Sequence, residues 1–432
     1  MEKKEYDVIV VGAGMAGLLT AYYLQEQGKK VLVIEAGEVA SGQTGRTTAK
    51  ITSQHGLKYS KLIETVGIDK ARLYARANET AIKEYEKLIQ KKGIECQFER
   101  APAYLYTLKD AEVLKKEAKA AAFLGIDAFF TKETELPFAV SGAVCFRHQA
   151  QFSALEFVEH ISAELDIMTH TQVMKIWGDK VITKNFVMTA DKIIVATHYP
   201  LQNVPGFYFL RQHQERSYVL ALSGCQKMRG MYLGIDKEGL SFRQLNGMLL
   251  LGGSSCRTGK NVVGGAYDFL RQEAKKYFPE SKEENHWAAQ DCMPHDGIPF
   301  IGKYSIFTPN LYVISGFQKW GMTTSMVAAM ILRDELCGIQ NPYAKLFSPQ
   351  RLHVKAGMND LLIDVGVSVR GLWNGWLHGK QKRCYHMGCR LMWNPEEESW
   401  DCPCHGSRFD QEGRLLDNPA KKDMNSEKDM VQ

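Results

Sequence analysis

Residues 6–35 constrain this chain more than any other stretch. YDVIVVG is a short apolar run rich in β-branched residues, and it leads into Gly12, Ala13, Gly14, Met15, Ala16 and Gly17. LLTAYYLQEQ then follows with helical character until Gly28 stops it, and Lys30 to Ile34 form a second strand of buried type ending at Glu35. Strand, GxGxxG turn, helix and parallel strand make a βαβ unit. Gly12 permits the tight turn, Gly14 lets the backbone approach a pyrophosphate, and Gly17 lets helix and strand pack closely. The helix start offers free N–H groups and the positive end of its dipole to the phosphates. Glu35 is placed to accept a hydrogen bond from an adenosine ribose, which favours an unphosphorylated ribose as in FAD or NAD.

The rest of the chain is compatible with a large α/β enzyme. Its 432 residues, 45% hydrophobic and 24% charged, suffice for two to four folded domains. The excess of 54 Lys and Arg over 49 Asp and Glu is too small and too evenly spread to point to nucleic acid or an anionic membrane. No uninterrupted apolar run reaches spanning length; the longest candidate, Met322 to Leu332, carries Thr323, Thr324 and Ser325. That leaves peripheral membrane contact open but argues against a transmembrane segment. Acidic Glu2, Glu5 and Asp7 and the phosphate-loop spacing argue against a secretory leader. Six of the ten cysteines are scattered and four lie between 384 and 404, which fits a metal site in a thiol-reduced, cytoplasmic protein.

Ser41 to Thr52 (SGQTGRTTAKIT) continues from the second strand as a Gly/Thr-rich loop. Far downstream DGIPFIG (296–302) precedes an apolar strand, NLYVIS, and then Gly316, Phe317, Gln318, Lys319, Trp320, Gly321, Met322 and Thr323 before another helix. These segments resemble the flavin oxidoreductases of the D-amino-acid oxidase and glycine oxidase superfamily, whose pattern DGxPxIG, strand, GxxxxGMT is matched at Asp296, Gly297, Pro299, Ile301, Gly302, Gly316, Gly321, Met322 and Thr323. The resemblance implies FAD, with Arg46, Thr47 and Thr48 beneath the isoalloxazine ring and the Gly316–Thr323 element receiving the ring and ribityl chain. KIIVAT (192–197) resembles a later strand of the same domain, with Val173 backing the adenine. The expected fold class is α/β: a Rossmann-like FAD-binding domain (about 1–60, 155–200 and 290–345), an inserted mixed-sheet substrate domain (about 75–150 and 200–290), a linker (346–383) and a small β-rich module (384–425). Expected elements include helices over 78–92 and 110–124, with Asp110 as N-cap of the second.

In that module Cys384xHis386 and Cys402xxHis405 are separated by 15 residues. Each box donates one soft thiolate and one neutral imidazole, the Rieske pattern in which two cysteines hold one iron of a [2Fe-2S] cluster and two histidines the other. Zinc is the competing reading, but zinc fingers pair CxxC with HxxxH and do not mix ligand types within a box. The boxes also resemble the Rieske proteins of cytochrome complexes, which implies a disulfide between Cys389 and Cys404 and a hydrogen bond from Ser407 to a cluster sulfide. Phe409 stands where those proteins carry a tyrosine, and losing that donor lowers the expected potential. The thirty or so residues ahead of Cys384 are too few for a full Rieske base domain, so the module is expected to lean on the flavin domain through Trp373 and Trp376.

Taken together, the resemblance is to bacterial flavoproteins fused to a C-terminal Rieske module. It implies an FAD-dependent amine or amino-acid dehydrogenase that passes electrons through the cluster to an unidentified acceptor. A reductase passing electrons between partners and a flavin-dependent hydroxylase or demethylase are the alternatives. Because the flavin carries the chemistry, catalytic residues are harder to name; His55, Gln318, Lys319 and Asp291 are the ring-lining candidates. Glycine-oxidase-type relatives place a carboxylate-binding arginine where this chain has Asp291, and another where it has Lys319. Neither supplies a bidentate guanidinium, and Asp291 favours a cationic amine.

Overall fold

A computed structural model describes residues 5–351, 364, 366–373 and 382–424. Its first sheet has eight strands, and its path runs Phe300–Lys303, Leu311–Ser315, Val187–Val195, Tyr6–Val11, Val31–Ile34, Ile167–Met168. The strands from Leu311–Ser315 to Ile167–Met168 run parallel. Val8–Val11 and Val31–Ile34 are buried on both faces, which is why these stretches read as unbroken apolar runs with no alternation. Helix Met15–Gln25 packs against helix Gly321–Leu336, so the two glycine turns open at the same carboxyl ends of the parallel strands. Both helices are apolar nearly all round because Ile68–Lys92 covers the second of them from the far side.

The second sheet has nine strands, with the path Lys282–Pro294, Gln212–Ser223, Met248–Arg257, Ser241–Leu245, Met231–Gly234, Glu99–Thr107, Gly142–Gln151, Lys50–Ile51, and Ala128–Thr131 pairing with Gly142–Gln151. It is antiparallel apart from the pairing of Met231–Gly234 with Glu99–Thr107. The helix expected over 78–92 begins ten residues earlier, at Ile68, since polar residues on its outer face dilute the apolar pattern there. Helix Glu112–Phe123 has Ala111, not Asp110, at its N-cap; Asp110 stands one residue earlier, where its Oδ1 accepts the Glu112 N–H at 2.9 Å.

Part of the expected linker belongs to the flavin half. Arg351 is buried and pairs with Asp296 through two contacts, Nε to Oδ2 at 2.7 Å and Nη2 to Oδ1 at 2.9 Å, while also donating to Pro299 O. The aspartate of the DGIPFIG motif is therefore a structural pillar that fixes the turn ahead of the last parallel strand. A four-stranded antiparallel sheet, Met392–Asn394, Ser399–Asp401, Arg408–Phe409 and Leu415–Asp417, forms the C-terminal module. Among the described residues no helix is long and apolar enough to cross a membrane.

Candidate functional site: a dinucleotide cavity and a Cys/His pocket docked on it

The first glycine turn separates three roles. A Cβ on Gly12, whose φ is +111°, would stand 2.6 Å from Ala196 O, and one on Gly17 would stand 1.9 Å from Gly12 O. Those two glycines are required by the fold. Gly14 has extended backbone (φ −83°, ψ 177°), and a Cβ there would meet only Thr44 Oγ1, at 3.2 Å. Its missing side chain leaves room in a cavity of about 1390 Å³. Amides around the turn have acceptors within the protein: Thr44 Oγ1 accepts the Met15 N–H (2.9 Å), and the two oxygens of Glu35 accept the Ala13 (2.7 Å) and Gly37 (2.9 Å) N–H groups.

Of the expected cofactor residues, Gly12, Gly14, Met15, Ala16, Glu35, Arg46, Thr47, Thr48, Val173, Gly316, Gly321 and Met322 line this cavity. Ala13, Gly17 and Thr323 stand behind its wall. Thr323 is fully buried, and its Oγ1 accepts the Thr52 N–H (2.8 Å) and donates to Thr52 O (2.9 Å), tying the second helix to the loop that carries Arg46. The open cradle at Gly14 and the two helix starts facing one cavity fit a dinucleotide that carries a pyrophosphate and a flavin.

The ring-lining candidates divide. Asp291, Lys319 and Gln318 line the cavity. Burial, reinforced by Glu215, pushes the Asp291 carboxyl up to about 7 against the opposing pull of Lys319. Lys319 donates to Ser255 Oγ (2.6 Å) and pairs with Glu215 (3.5 Å), while Gln318 Oε1 accepts Lys58 Nζ at 2.7 Å. His55 does not reach the cavity. Its ring nitrogens meet Tyr74 OH and Thr52 O, both at 2.7 Å, and it stacks behind Trp320, which does line the cavity. Burial holds its pKa well below the usual histidine value, so it is a neutral support for the tryptophan.

The Cys/His boxes form two matched turns. Gly388 N–H donates to Cys384 O and Cys384 N–H to Cys389 O; Gly406 N–H donates to Cys402 O and Cys402 N–H to Ser407 O. Cys384, Cys402 and His405 are buried, and the His386 and His405 rings lie 4.9 Å apart. Nδ1 of both histidines and Nε2 of His405 are buried without a partner, whereas His386 Nε2 meets Asn203 Oδ1 at 2.6 Å. Burial lowers His386 to about 3 and His405 to about 4, which keeps both imidazoles in the neutral form that ligates metal. Two buried thiols and two orphaned imidazole nitrogens fit a Rieske [2Fe-2S] cluster. Ser407 Oγ accepts the Ala420 N–H (2.9 Å) and keeps its own proton for sulfur at Cys384. Cys389 and Cys404, expected to pair, are free thiols here, and their Sγ atoms lie within 4.8 Å of each other and of Cys402 Sγ.

Among the described residues, polar contacts dock this module. Trp373 is 61% exposed and Trp376 lies outside the described residues. Instead Gln214 Nε2 donates to His405 O (2.7 Å) and Gln290 Nε2 to Gly406 O (2.9 Å), while the Gln290 N–H is held by Gln43 Oε1 (2.7 Å) from the cavity loop. Arg257 donates to Pro403 O and Cys404 O, and Asn418 donates to Thr197 O and Tyr199 O. Leu415 to Asp423 complete one wall of the cavity. Arg216, 1% exposed, pairs with Glu397 at 2.5 Å and with Asp417 at 3.9 Å. Arg408 also pairs with Glu397 (3.1 Å) and Asp417 (2.9 Å), so Arg216→Met leaves both carboxylates a cation and is expected to destabilise docking by about 1.5–3 kcal/mol through the lost charge-assisted contact. Loss of iron at a lower temperature than native protein, while flavin is retained, is the expected reading. Gln43 and Thr44 sit within the recognised loop, but Gln214, Arg216 and Gln290 carry no motif, because their partners lie at the other end of the chain.

Known families match both parts of the chain. The profile of the FAD dependent oxidoreductase family (DAO) matches residues 7–335, and that of the Rieske [2Fe-2S] domain matches residues 353–428. The Rieske 2Fe-2S iron-sulfur protein YhfW of Bacillus subtilis, so described, is 33% identical over 98% of this chain and 93% of its own length. Among solved structures, glycine oxidase from Geobacillus kaustophilus superposes with a TM-score of 0.68 at 18% identity, covering 80% of this chain and 99% of that one. L-proline dehydrogenase from P. horikoshii does so with 0.68 at 15% identity, covering 81% and 98%. At these identities the structural likeness speaks for the fold.

Proposed function

The chain belongs to the DAO family of FAD-dependent oxidoreductases and carries a C-terminal Rieske [2Fe-2S] domain, and from that footing we propose that it oxidises an amine or amino acid at the C–H bond next to nitrogen. Bound FAD supplies hydride acceptance, and the cluster supplies single-electron exchange with an acceptor. The observation that carries the reading is the contact between the two sites: Gln290 links Gln43 of the cavity loop to Gly406, next to the ligand His405. The histidine edge of the cluster pocket faces the flavin domain through Asn203, Tyr199 and Phe209, which favours transfer within one molecule. The protein's own part is to position substrate, exclude water with the sheet and the Leu415–Asp423 wall, and keep Cys384, His386, Cys402 and His405 preorganised.

Asp291 supports a cationic amine as substrate. Asp291 lines the cavity, and Lys319, the cation that acts on it most strongly, is engaged by Glu215 and Ser255. With its pKa near 7, Asp291 gains charge as pH rises through neutrality, so amine affinity should rise over the same range until the amine itself loses its proton. Asp291→Asn is expected to raise KM for polyamines at least tenfold and to flatten that pH dependence. Anaerobic flavin reduction by glycine, sarcosine, D-alanine and polyamines, with native and substituted protein, tests this. Fast reduction by glycine or D-alanine that the substitution leaves unchanged contradicts it.

A further inference from the structure

Lys50 begins the short strand after the Arg46–Thr48 stretch, and its side chain lines the cavity. Its Nζ donates to Ser241 Oγ (2.5 Å) and to Tyr232 O (3.4 Å), and it pairs with no carboxylate among the described residues. Arg243 lies close behind it, 1% exposed, with its guanidinium directed at neutral acceptors: Thr48 O, Phe152 O (2.6 Å) and Gln151 Oε1 (3.2 Å). Glu99 makes no hydrogen bond or ion pair with Arg243 among the described residues; it accepts Gln151 Nε2 at 3.0 Å and offsets the burial of Arg243 only in part, through its charge. Interior cations are costly unless paired. Burial and the neighbouring Arg243 accordingly push Lys50 down to about 7. An anion entering the cavity relieves both effects.

The strand register sets this pole apart from the acidic one. Ser241 is paired with Gly252 and Gly252 with Val219, whereas Asp291 is paired with Glu215. Val219 and Glu215 are four residues apart on one strand, about 13 Å at roughly 3.3 Å per residue, and the two poles also lie on different strands of the sheet. The amine and carboxylate of an α-amino acid share one carbon and cannot serve both.

We propose that Lys50, with Ser241 beside it and Arg243 behind it, is an anion subsite that receives the carboxylate of an extended amino-carboxylate whose cationic end lies towards Asp291. This rests on the amine reading above and names the other end of the same substrate.

The test reads equilibrium binding and needs no turnover. Oxidised holoenzyme is titrated with hexanoate and with hexyltrimethylammonium, which has no nitrogen lone pair and so cannot be oxidised to an iminium, following perturbation of the flavin absorption band. Lys50→Met is expected to weaken hexanoate at least tenfold and leave the cation within twofold, while Lys50→Arg keeps hexanoate binding. Unchanged hexanoate affinity, or equal loss of both probes, overturns the proposal. So does a shifted resting flavin band with hexanoate affinity intact, which would assign Lys50 to the flavin itself. Should Lys50→Met not retain flavin, pH decides. Asp291 gains charge over the same range in both proteins, so hexanoate affinity should fall more steeply with rising pH in native protein than in Lys50→Arg, and equally steep falls overturn the proposal. If no amine reduces the flavin, the amine reading fails while the hexanoate result stands on its own.

Discussion

A Gly14→Val chain is expected to fold and to carry no flavin. Gly14 has a backbone conformation open to any residue, and a Cβ there touches only Thr44 Oγ1, so the added side chain projects into the cavity where the pyrophosphate must approach. The expected effect is loss of the yellow colour with the apo fold intact by circular dichroism. Gly17→Ala is the contrasting case: its Cβ falls 1.9 Å from Gly12 O and must break the turn itself. A Gly14→Val protein isolated with full colour and an unchanged spectrum contradicts the placement of the dinucleotide. The flavin should be released by acid, since Cys292, the cysteine nearest the DGIPFIG motif, is 1% exposed and does not line the cavity.

Cys402→Ser should remove the cluster and leave the flavin. Cys402 is fully buried between the two turns, and a serine alkoxide is a poor substitute for a soft thiolate. The expected result is loss of iron together with the low-average-g electron paramagnetic resonance signal that reduced native protein should give. His405→Cys should retain iron at a lower potential, because a thiolate adds negative charge beside the iron that is reduced. Native protein purified with one zinc and no iron would contradict the assignment.

Motifs made local structure legible. The glycine turn, the second turn before Gly321 and the paired Cys/His boxes each encode their geometry within a few residues, so spacing alone places them on a strand end, a helix start or a tight turn. What joins them is not local. Gln214, Arg216 and Gln290 sit in antiparallel strands of the second sheet, and their partners are 100 to 200 residues away in the chain. Nothing in QHQERSYVLALS distinguishes a docking strand from any other half-buried strand. Tryptophans look like anchors from composition, yet Trp373 is exposed, and the interface is held by amides and ion pairs that satisfy the backbone of the cluster turns. His55 reads as a ring neighbour because it follows the flavin loop closely. Its ring faces Tyr74 and Trp320 because the chain turns into helix Tyr59–Val66 just beyond it. Lys50 carries no sequence signal, since a lysine in a Gly/Thr-rich stretch is ordinarily solvated, and only its place in the second sheet, beside Tyr232 and Ser241, removes its water.

Electron transfer between the two sites is expected to occur within one chain. Native holoenzyme mixed anaerobically with a substrate amine, at several protein concentrations, should show bleaching of the flavin band followed by the reduced-cluster signal, with a rate for the second step independent of protein concentration. Flavin that is reduced while the cluster stays oxidised, or a second step whose rate rises in proportion to protein concentration, would contradict it.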